Sequence, residues 1–224
     1  MEQYIQGIII ASKGAPTTLL ISLVAVVIGL ILGLIVAILR RSKHKVLRFI
    51  GAAYVDILRG TPLLVQVLIL AYGVPQLITA AFGIQFNWDQ MIMVGFIACG
   101  VNSSAYLAEI IRSGLQAVDI GQTEAARSLG LNSRQTMRYI IIPQAFKIII
   151  PAMGNEFVTL VKETSILSVA GIVEITRQGT LWASRSFLSF QAYIGVAVVY
   201  LILTWTLSRL VAYMERRMSQ GDRG

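Results

Sequence analysis

Residues 17–39 form an almost wholly apolar run in which no side chain is charged. A helix needs about 20 consecutive apolar residues to cross a bilayer, so this run is long enough for one span. Four further segments approach or exceed that length, at 49–82, 90–111, 144–173 and 192–213. The chain is only 13% charged, whereas soluble domains are roughly 25% charged. The sequence therefore predicts an all-α integral membrane protein, a helical bundle with five transmembrane helices.

The second apolar segment is too long for one straight span, and it is interrupted by the sequence Gly-Thr-Pro. Pro62 removes a helical hydrogen bond and disfavours helical geometry at Thr61. We therefore predict a first helix that ends at Leu58, a break at residues 60–62, and a membrane span over residues 63–78.

Positive charge is distributed unevenly along the chain, whose net charge is +8. Most lysines and arginines fall in stretches 40–48, 112–147 and 209–223, which share one side of the membrane if there are five spans. Such charges accumulate in cytoplasmic loops, so the N-terminus is predicted outside and the C-terminus in the cytoplasm. This accumulation of lysine and arginine in cytoplasmic loops explains the positive net charge, so no nucleic acid partner is expected.

The stretch GQTEAARSLGLNSRQ, residues 121–135, is the most polar long stretch of the chain. It predicts a short cytoplasmic helix over residues 122–129, with Gly130 as its C-terminal cap. Asn132 and Gln135 have the spacing of a capping box at the start of a second helix, which is predicted to stop at Pro143. Further along, Pro151 and Gly154 are predicted to interrupt the segment 144–173.

This stretch resembles the EAA motif of the permease subunits of ABC importers. The motif residues are Glu124, Ala125, Ala126, Gly130, Ile140, Ile142 and Pro143, with Ile142 where leucine is usual. The resemblance implies that residues 117–133 are a coupling helix that docks on a cytoplasmic ABC ATPase dimer. Two small alanines permit close packing, Gly130 permits a turn, and Glu124 suits a basic group on the ATPase.

Two other stretches, RGTPLLVQ at 59–66 and VKETSILS at 161–168, resemble the branch of that family that takes up polar amino acids. The resemblance implies a type I importer permease fold over residues 1–224 as a single domain. It also implies a multi-pass location in the bacterial inner membrane, a second permease subunit in a homodimer, and an extracytoplasmic amino acid binding protein.

Several chemistries have no support in the sequence. No phosphate-binding loop of the form G-x-x-x-x-G-K-[ST] occurs, so ATP and Mg²⁺ are expected on the partner ATPase and no cofactor in this chain. Cys99 is the only cysteine and His44 the only histidine, so neither a disulfide nor a metal site is expected. The first residues lack the basic region of a cleavable signal peptide. The chain is therefore predicted to be a transporter subunit and not an enzyme.

Ionisable side chains inside membrane segments are costly, and they are functional candidates by default. Glu163 is predicted to bind the ammonium group of a substrate, and a second acid would favour a cationic side chain. The predicted substrate-binding residues are Glu163, Asp56, Thr61, Gln66, Asn102, Ser103 and Glu156. The predicted substrate is a polar, preferably basic, amino acid. Spacings of three residues also allow Asp56 to pair with Arg59, and Glu109 with Arg112.

Three alternatives stay open at this point. The permease could lack a substrate site of its own, so that the external binding protein alone sets specificity. The chain could instead be an ion-coupled secondary transporter, which predicts an inverted internal repeat that five spans do not readily supply. It could also be a membrane anchor for the ATPase, although charged residues at membrane depth are hard to explain in that case.

Overall fold

The structure is a computed structural model that describes residues 1–219, and these residues form helices and connecting turns without any strand. The first half contains α1 Glu2–Ser12, α2 Ala15–Arg40, α3 Lys45–Gly60, α4 Leu63–Leu68, a π-helical turn Ile69–Gly73, α5 Val74–Phe82 and α6 Ile92–Gln116. The second half contains α7 Ile120–Ser128, α8 Ser133–Thr136, a π-helical turn Met137–Ile141, α9 Ile142–Glu163, a 3₁₀ helix Thr164–Ala170, α10 Ile175–Ser186 and α11 Ser189–Ser219. Arg223, counted above on the cytoplasmic side, lies outside the described residues.

Within residues 1–219, four helical stretches are long and apolar enough to cross a membrane: Glu2–Arg40, Leu63–Phe82, Ile92–Gln116 and Ser189–Met218. The first of these starts earlier than predicted, because α1 leads almost directly into α2. The remaining predicted span, 144–173, corresponds to α9, which is 22 residues long but less apolar because it contains charged and amide side chains. An all-α membrane bundle is confirmed, and the count of five spans includes this more polar helix.

The central helix pair of the bundle is α2 against α6, and small residues bring the two backbones together. A Cβ atom added to Gly33 would lie 2.9 Å from the carbonyl oxygen of Ser104. A Cβ atom on Gly29 would lie 3.0 Å from Cδ1 of Leu107. Side chains at these positions would push the helices apart, as expected for a Gly-x-x-x-Gly contact in a membrane.

The predicted helix break at residues 60–62 is confirmed. Helix α3 ends at Gly60, Thr61 is extended with φ −118° and ψ 140°, and α4 begins directly after Pro62. The helix beyond the break continues to Phe82 and is therefore longer than predicted. Gly83, with φ 67°, ends it in the left-handed conformation that glycine adopts at low cost.

The predictions that the helix stops at Pro143 and is interrupted at Pro151 and Gly154 are wrong. A π-helical turn precedes Pro143, in which the N–H of Ile142 bonds to the carbonyl of Met137, five residues back. This wider turn accommodates the proline ring, which would clash with a carbonyl in a regular helix. Pro151 lies buried inside α9, and packing against α6 and α11 holds the helix together there.

Two other boundaries differ from the prediction. Helix α6 continues to Gln116, five residues beyond the predicted end of its span at 111, so part of the polar connection is helical. The connection between the predicted spans 144–173 and 192–213 also contains α10, which the hydropathy pattern did not predict. Both extensions are polar or amphipathic helices, which hydropathy alone does not distinguish from loops.

Glu174 starts α10 and is completely buried. Its carboxylate accepts hydrogen bonds from the backbone N–H groups of Thr176 at 2.8 Å and Arg177 at 2.7 Å, and from the Tyr200 hydroxyl at 2.7 Å. Burial raises the pKa of this carboxyl above its ordinary value, and these hydrogen bonds oppose the shift. Gly14 permits the close contact, because a Cβ there would lie 2.3 Å from the Glu174 backbone. The residue thus joins the α1–α2 junction, α10 and α11.

Candidate functional site

A cavity of about 380 Å³ opens at the break between α3 and α4. Four elements form its walls: the broken segment, α6, the end of α9 and the 3₁₀ helix. The lining residues are Arg59, Gly60, Thr61, Pro62, Leu63, Asn102, Tyr106, Glu163 and Ile166. Three of the predicted substrate-binding residues, Glu163, Thr61 and Asn102, therefore lie in one cavity although they come from distant parts of the chain.

Two amide side chains stabilise the open end of α3. Gln66 donates from Nε2 to the Leu58 carbonyl at 2.9 Å, the Thr61 carbonyl at 3.2 Å and the Thr61 hydroxyl at 2.9 Å. Asn102, which is buried, donates from Nδ2 to Oε1 of Gln66 at 3.0 Å. Backbone groups that the break leaves without helical partners are thereby satisfied, as helix termini in a membrane require.

The cavity contains one acid and one base. Glu163 is half-buried, whereas its neighbour Lys162 is exposed, so these adjacent side chains point in different directions. The Arg59 guanidinium lies over the ring of Tyr106, with its central carbon 5.2 Å from the ring centroid. A cation above an aromatic face at this distance is held by the ring quadrupole. The arrangement suits a small molecule that carries both charges.

The remaining predicted residues lie around the cavity without lining it. Glu156 is half-buried on α9, and its carboxylate accepts a hydrogen bond of 3.3 Å from the Ser103 hydroxyl. Asp56 is exposed on α3, and residues 1–219 contain no ion pair between it and Arg59, which lies over Tyr106 instead. The structure brings Glu156 and Ser103 together but leaves Asp56 apart.

The pairing of Glu109 with Arg112 is confirmed, and the structure adds a second partner. Arg112 donates to both carboxylate oxygens of Glu109, and Nη1 of Arg40 donates to the same carboxylate at 2.5 Å. Arg112 also donates to the Gln116 side chain at 2.5 Å. This network joins the ends of α2 and α6 on the side of the bundle where α7 lies.

Residues 117–133 contain a short helix, and residues close to it in the sequence cap both of its ends. The Asp119 side chain accepts from the N–H of Gly121 at 2.6 Å at the start of α7. Gly130 has φ 81° just after its end, as the sequence predicts. The capping box is also confirmed: Asn132 Oδ1 accepts from the N–H of Gln135 at 3.0 Å, and Gln135 Oε1 accepts from the N–H of Asn132 at 2.9 Å.

The motif residues of α7 divide between an inner and an outer face. Ala126 is buried, whereas Glu124 and Ala125 are exposed. Two large apolar side chains that the sequence analysis did not single out, Ile120 and Leu129, are 75% and 81% exposed. The outer face of α7 is therefore partly apolar and has one acid at its centre, which is a composition suited to a protein contact. Pro143 lies apart from this face, in the first turn of α9.

Sequence comparison assigns the chain to a family. Residues 29–220 match the family described as "Binding-protein-dependent transport system inner membrane component". This chain belongs to that family. Membership identifies it as a transporter component, and it implies an ATPase partner, a second permease subunit and a substrate-binding protein. Nucleotide binding in such systems belongs to the ATPase.

Curated relatives cover nearly the whole chain. It is 40% identical over 203 residues to "Probable glutamine ABC transporter permease protein GlnM" of Bacillus subtilis (strain 168), covering 91% of this chain and 90% of the relative. It is 37% identical to "Putative glutamine transport system permease protein GlnP" of Rickettsia conorii (strain ATCC VR-613 / Malish 7), covering 92% and 91%. The name of the Bacillus subtilis relative places that protein among ABC transporters, which are driven by ATP and not by an ion gradient.

Solved structures support the same fold. A crystal structure of an amino acid ABC transporter with histidines matches at 43% identity and a TM-score of 0.85, covering 93% of this chain and 94% of the other. The MetNI methionine ABC transporter in an inward-facing conformation matches at 18% identity and a TM-score of 0.72, covering 93% and 96%. The second likeness concerns the fold alone. The predicted permease fold of ABC importers is thereby confirmed.

Proposed function

We propose that this chain forms the membrane pathway of an importer for a polar, preferably cationic, amino acid, and that a separate ATPase dimer binds ATP and Mg²⁺. The observation that carries the proposal is the cavity at the α3–α4 break, where Glu163, Arg59 and neutral hydrogen-bonding groups face one another. Relatives named for glutamine, and the structure of an amino acid transporter with histidines, support an amino acid as the substrate.

In the proposed complex, Glu163 binds a substrate ammonium or cationic side chain, and Arg59 binds the substrate carboxylate. Thr61 and Asn102 supply hydrogen bonds inside the cavity, while Gln66 holds the broken backbone in position. Glu156 with Ser103, and Asp56 at a greater distance, add negative potential that favours a cationic substrate. A partly desolvated carboxylate binds a cation more strongly than an exposed one does, because fewer waters compete.

Residues 117–133 are the proposed coupling helix. Glu124, Ala125 and the exposed apolar residues of α7 would dock on the ATPase, with buried Ala126 supporting them from behind. The caps at both ends of α7 make it a rigid unit that can transmit displacement to α6 and α9. This role requires the N-terminus outside and the C-terminus in the cytoplasm. Two copies of this chain would form the pathway, with an amino acid binding protein delivering substrate from outside.

The test of the substrate site is Glu163→Gln in the purified permease–ATPase complex, with Glu2→Gln as a control because Glu2 is exposed on α1. Titration calorimetry would use arginine, lysine, histidine and glutamine. A hydrogen bond to a charged group contributes roughly 1.5–3 kcal/mol, so Glu163→Gln should weaken arginine and lysine binding by at least about tenfold. Glutamine should lose less, and Glu2→Gln should change nothing.

Unchanged affinity of Glu163→Gln for all four amino acids would refute the cavity as the substrate site. Specificity would then reside in the external binding protein, which is the second candidate arrangement. The coupling role of α7 would stand in that case, because it depends on a different part of the molecule.

A further inference from the structure

Two neighbouring depressions lie on the side of the bundle where α7 starts. One, of about 520 Å³, is lined by polar and apolar residues that include Arg41, Arg112, Asp119 and Leu115; we call it the basic pocket. The other, also about 520 Å³, lies between α2, α6 and α9 and is lined only by apolar side chains, among them Leu30, Leu34, Ile111, Leu115, Phe146 and Ile149; we call it the apolar groove. The two share Leu115 in their walls, so they are adjacent.

The apolar groove lies on the opposite face of α6 from the substrate cavity. Asn102 and Tyr106 line the cavity, whereas Ile111 and Leu115 line the groove. Each pair is separated by nine residues, and nine residues of an α-helix correspond to two and a half turns. The two surfaces of α6 therefore point about 180° apart, so the groove is not part of the proposed pathway.

Among the described residues, the basic pocket and its surroundings have an excess of one positive charge. Arg112 is held by Glu109, and the Asp119 carboxylate, which accepts the N–H that starts α7, keeps its negative charge. In and beside the pocket three arginines therefore stand against two carboxylates: Arg40, Arg41 and Arg112 against Glu109 and Asp119. Arg41 is exposed at the end of α2, and its guanidinium has no acidic partner within residues 1–219. The pocket thus has a free positive charge where the apolar helix ends.

The spacing of charge and apolar surface matches an amphiphile with a negative head. Leu34 precedes Arg41 by seven residues, which corresponds to about 10 Å along a helix. A membrane chain has such amphiphiles around it, and basic pockets beside transmembrane helices bind anionic headgroups. We propose that the basic pocket and the apolar groove together bind one anionic phospholipid, with its phosphate at Arg41 and an acyl chain in the groove.

Charge decides between this occupant and a second copy of the chain. A second copy seated in the groove would have to present an acid to Arg41 and a long, thin apolar side chain to the groove at the same time. A phospholipid supplies both in one molecule, and its binding does not depend on which substrate is transported. Its headgroup would lie beside Ile120 and Thr123 in the first turn of α7.

Native mass spectrometry of the purified permease–ATPase complex tests the headgroup contact. Phosphatidylglycerol and phosphatidylcholine with the same acyl chains would be titrated into the detergent-solubilised complex. Arg41→Gln should weaken phosphatidylglycerol binding about fivefold, the usual contribution of one basic residue near an anionic surface. Arg41→Lys should retain most of the affinity, and Arg48→Gln, an exposed arginine outside the pocket, should have no effect.

The acyl-chain contact is tested with two leucines of α2 that have similar exposure, 51% for Leu34 and 53% for Leu23. Leu34→Trp fills the groove and should weaken binding of either lipid about tenfold, the equivalent of two buried methylene groups. Leu23→Trp lies outside the groove and should leave binding unchanged.

Four results would overturn the proposal. These are equal affinity for the two lipids, equal effects of Arg41→Gln and Arg48→Gln, and equal effects of the two tryptophan variants. The fourth is full displacement of phosphatidylglycerol by an equal concentration of glycerol phosphate, which would indicate a site for soluble anions. Dissociation of the permease subunits by Leu34→Trp, with lipid binding unchanged, would show that the groove is a subunit interface.

Discussion

The coupling segment, residues 117–133, and the substrate cavity at the α3–α4 break are both polar regions in an apolar chain, but they are built differently. The coupling segment is closed by hydrogen bonds between residues two or three positions apart, such as Asp119 to Gly121 and Asn132 to Gln135. The cavity is closed by contacts between helices, such as Asn102 of α6 with Gln66 of α4. Local contacts can be recognised from spacing, whereas contacts between helices cannot.

This difference has an energetic counterpart. The coupling segment is largely exposed, so water can replace a lost side-chain hydrogen bond there. Asn102 is buried and its partner Gln66 is half-buried, so water can replace their hydrogen bond less readily. An unsatisfied buried polar group costs more than an exposed one, and more still where no water is present. The same substitution should therefore have unequal effects in the two regions.

The largest effect is expected for Asn102→Ala. It removes the donor to Gln66 and leaves a half-buried amide oxygen without its partner, so we expect a loss of about 2 kcal/mol in unfolding free energy. Substrate affinity should fall as well, because Gln66 positions Thr61. The exposed counterpart Asn132→Ala loses an N-terminal helix cap and should cost about 1 kcal/mol, with substrate affinity unchanged. Thermal unfolding in detergent and ligand titration measure both quantities; equal losses would contradict the comparison.

A smaller loss of stability is expected for a substitution of Gly130 in the coupling segment. The variant for comparison is at Gly60, next to the break between α3 and α4. Gly130→Ala places a side chain in the left-handed conformation, which costs about 1–2 kcal/mol. No atom lies within 4 Å of an added Cβ there, so the cost is conformational and not steric. Gly60→Ala has equally open space without positive φ, and it should change stability by about 0.5 kcal/mol or less. The two variants are compared by thermal unfolding in detergent, in which Gly130→Ala should lose more stability than Gly60→Ala.

The smallest effect on stability is expected for Glu124→Lys, because its side chain is exposed on α7. Unfolding free energy should change by about 0.5 kcal/mol or less, while substrate-stimulated ATP hydrolysis by the complex should be lost. Glu215→Lys on the exposed end of α11 is the matched charge reversal and should keep full stimulation. Full stimulation in Glu124→Lys would remove Glu124 from the proposed ATPase contact.

Much of the fold followed from patterns within single segments. The apolar runs predicted the membrane bundle, Pro62 predicted the break, and Gly130 with Asn132 predicted the limits of α7 and α8. The predictions at Pro143 and Pro151 were wrong, because they considered only the hydrogen bond that proline removes from its own helix. They did not consider the local helix geometry or the packing of neighbouring helices. The π-helical turn before Pro143 and the packing around Pro151 keep the helix continuous there.

The candidate site was only partly predictable. Glu163, Thr61 and Asn102 were singled out as polar residues at membrane depth, and they do meet in the cavity. Tyr106 was not among the predicted residues. Its place in the cavity depends on a contact between helices, because the guanidinium of Arg59 from α3 lies over the Tyr106 ring. Glu174 lies between two predicted spans and was not singled out, although the packing of α10 against α1 and α11 buries it completely.

The sequence by itself determined that this protein lies in a membrane and to which family it belongs. It also determined that helices break or end at Pro62 and Gly130. Each of these depends on composition or on residues a few positions apart, whose interactions form in any helix of that sequence. Only the tertiary structure decided that Asn102 meets Gln66 while Asp56 stays apart from the cavity. Such pairings depend on how whole helices cross and rotate, which is set by close contacts such as Gly33 against Ser104.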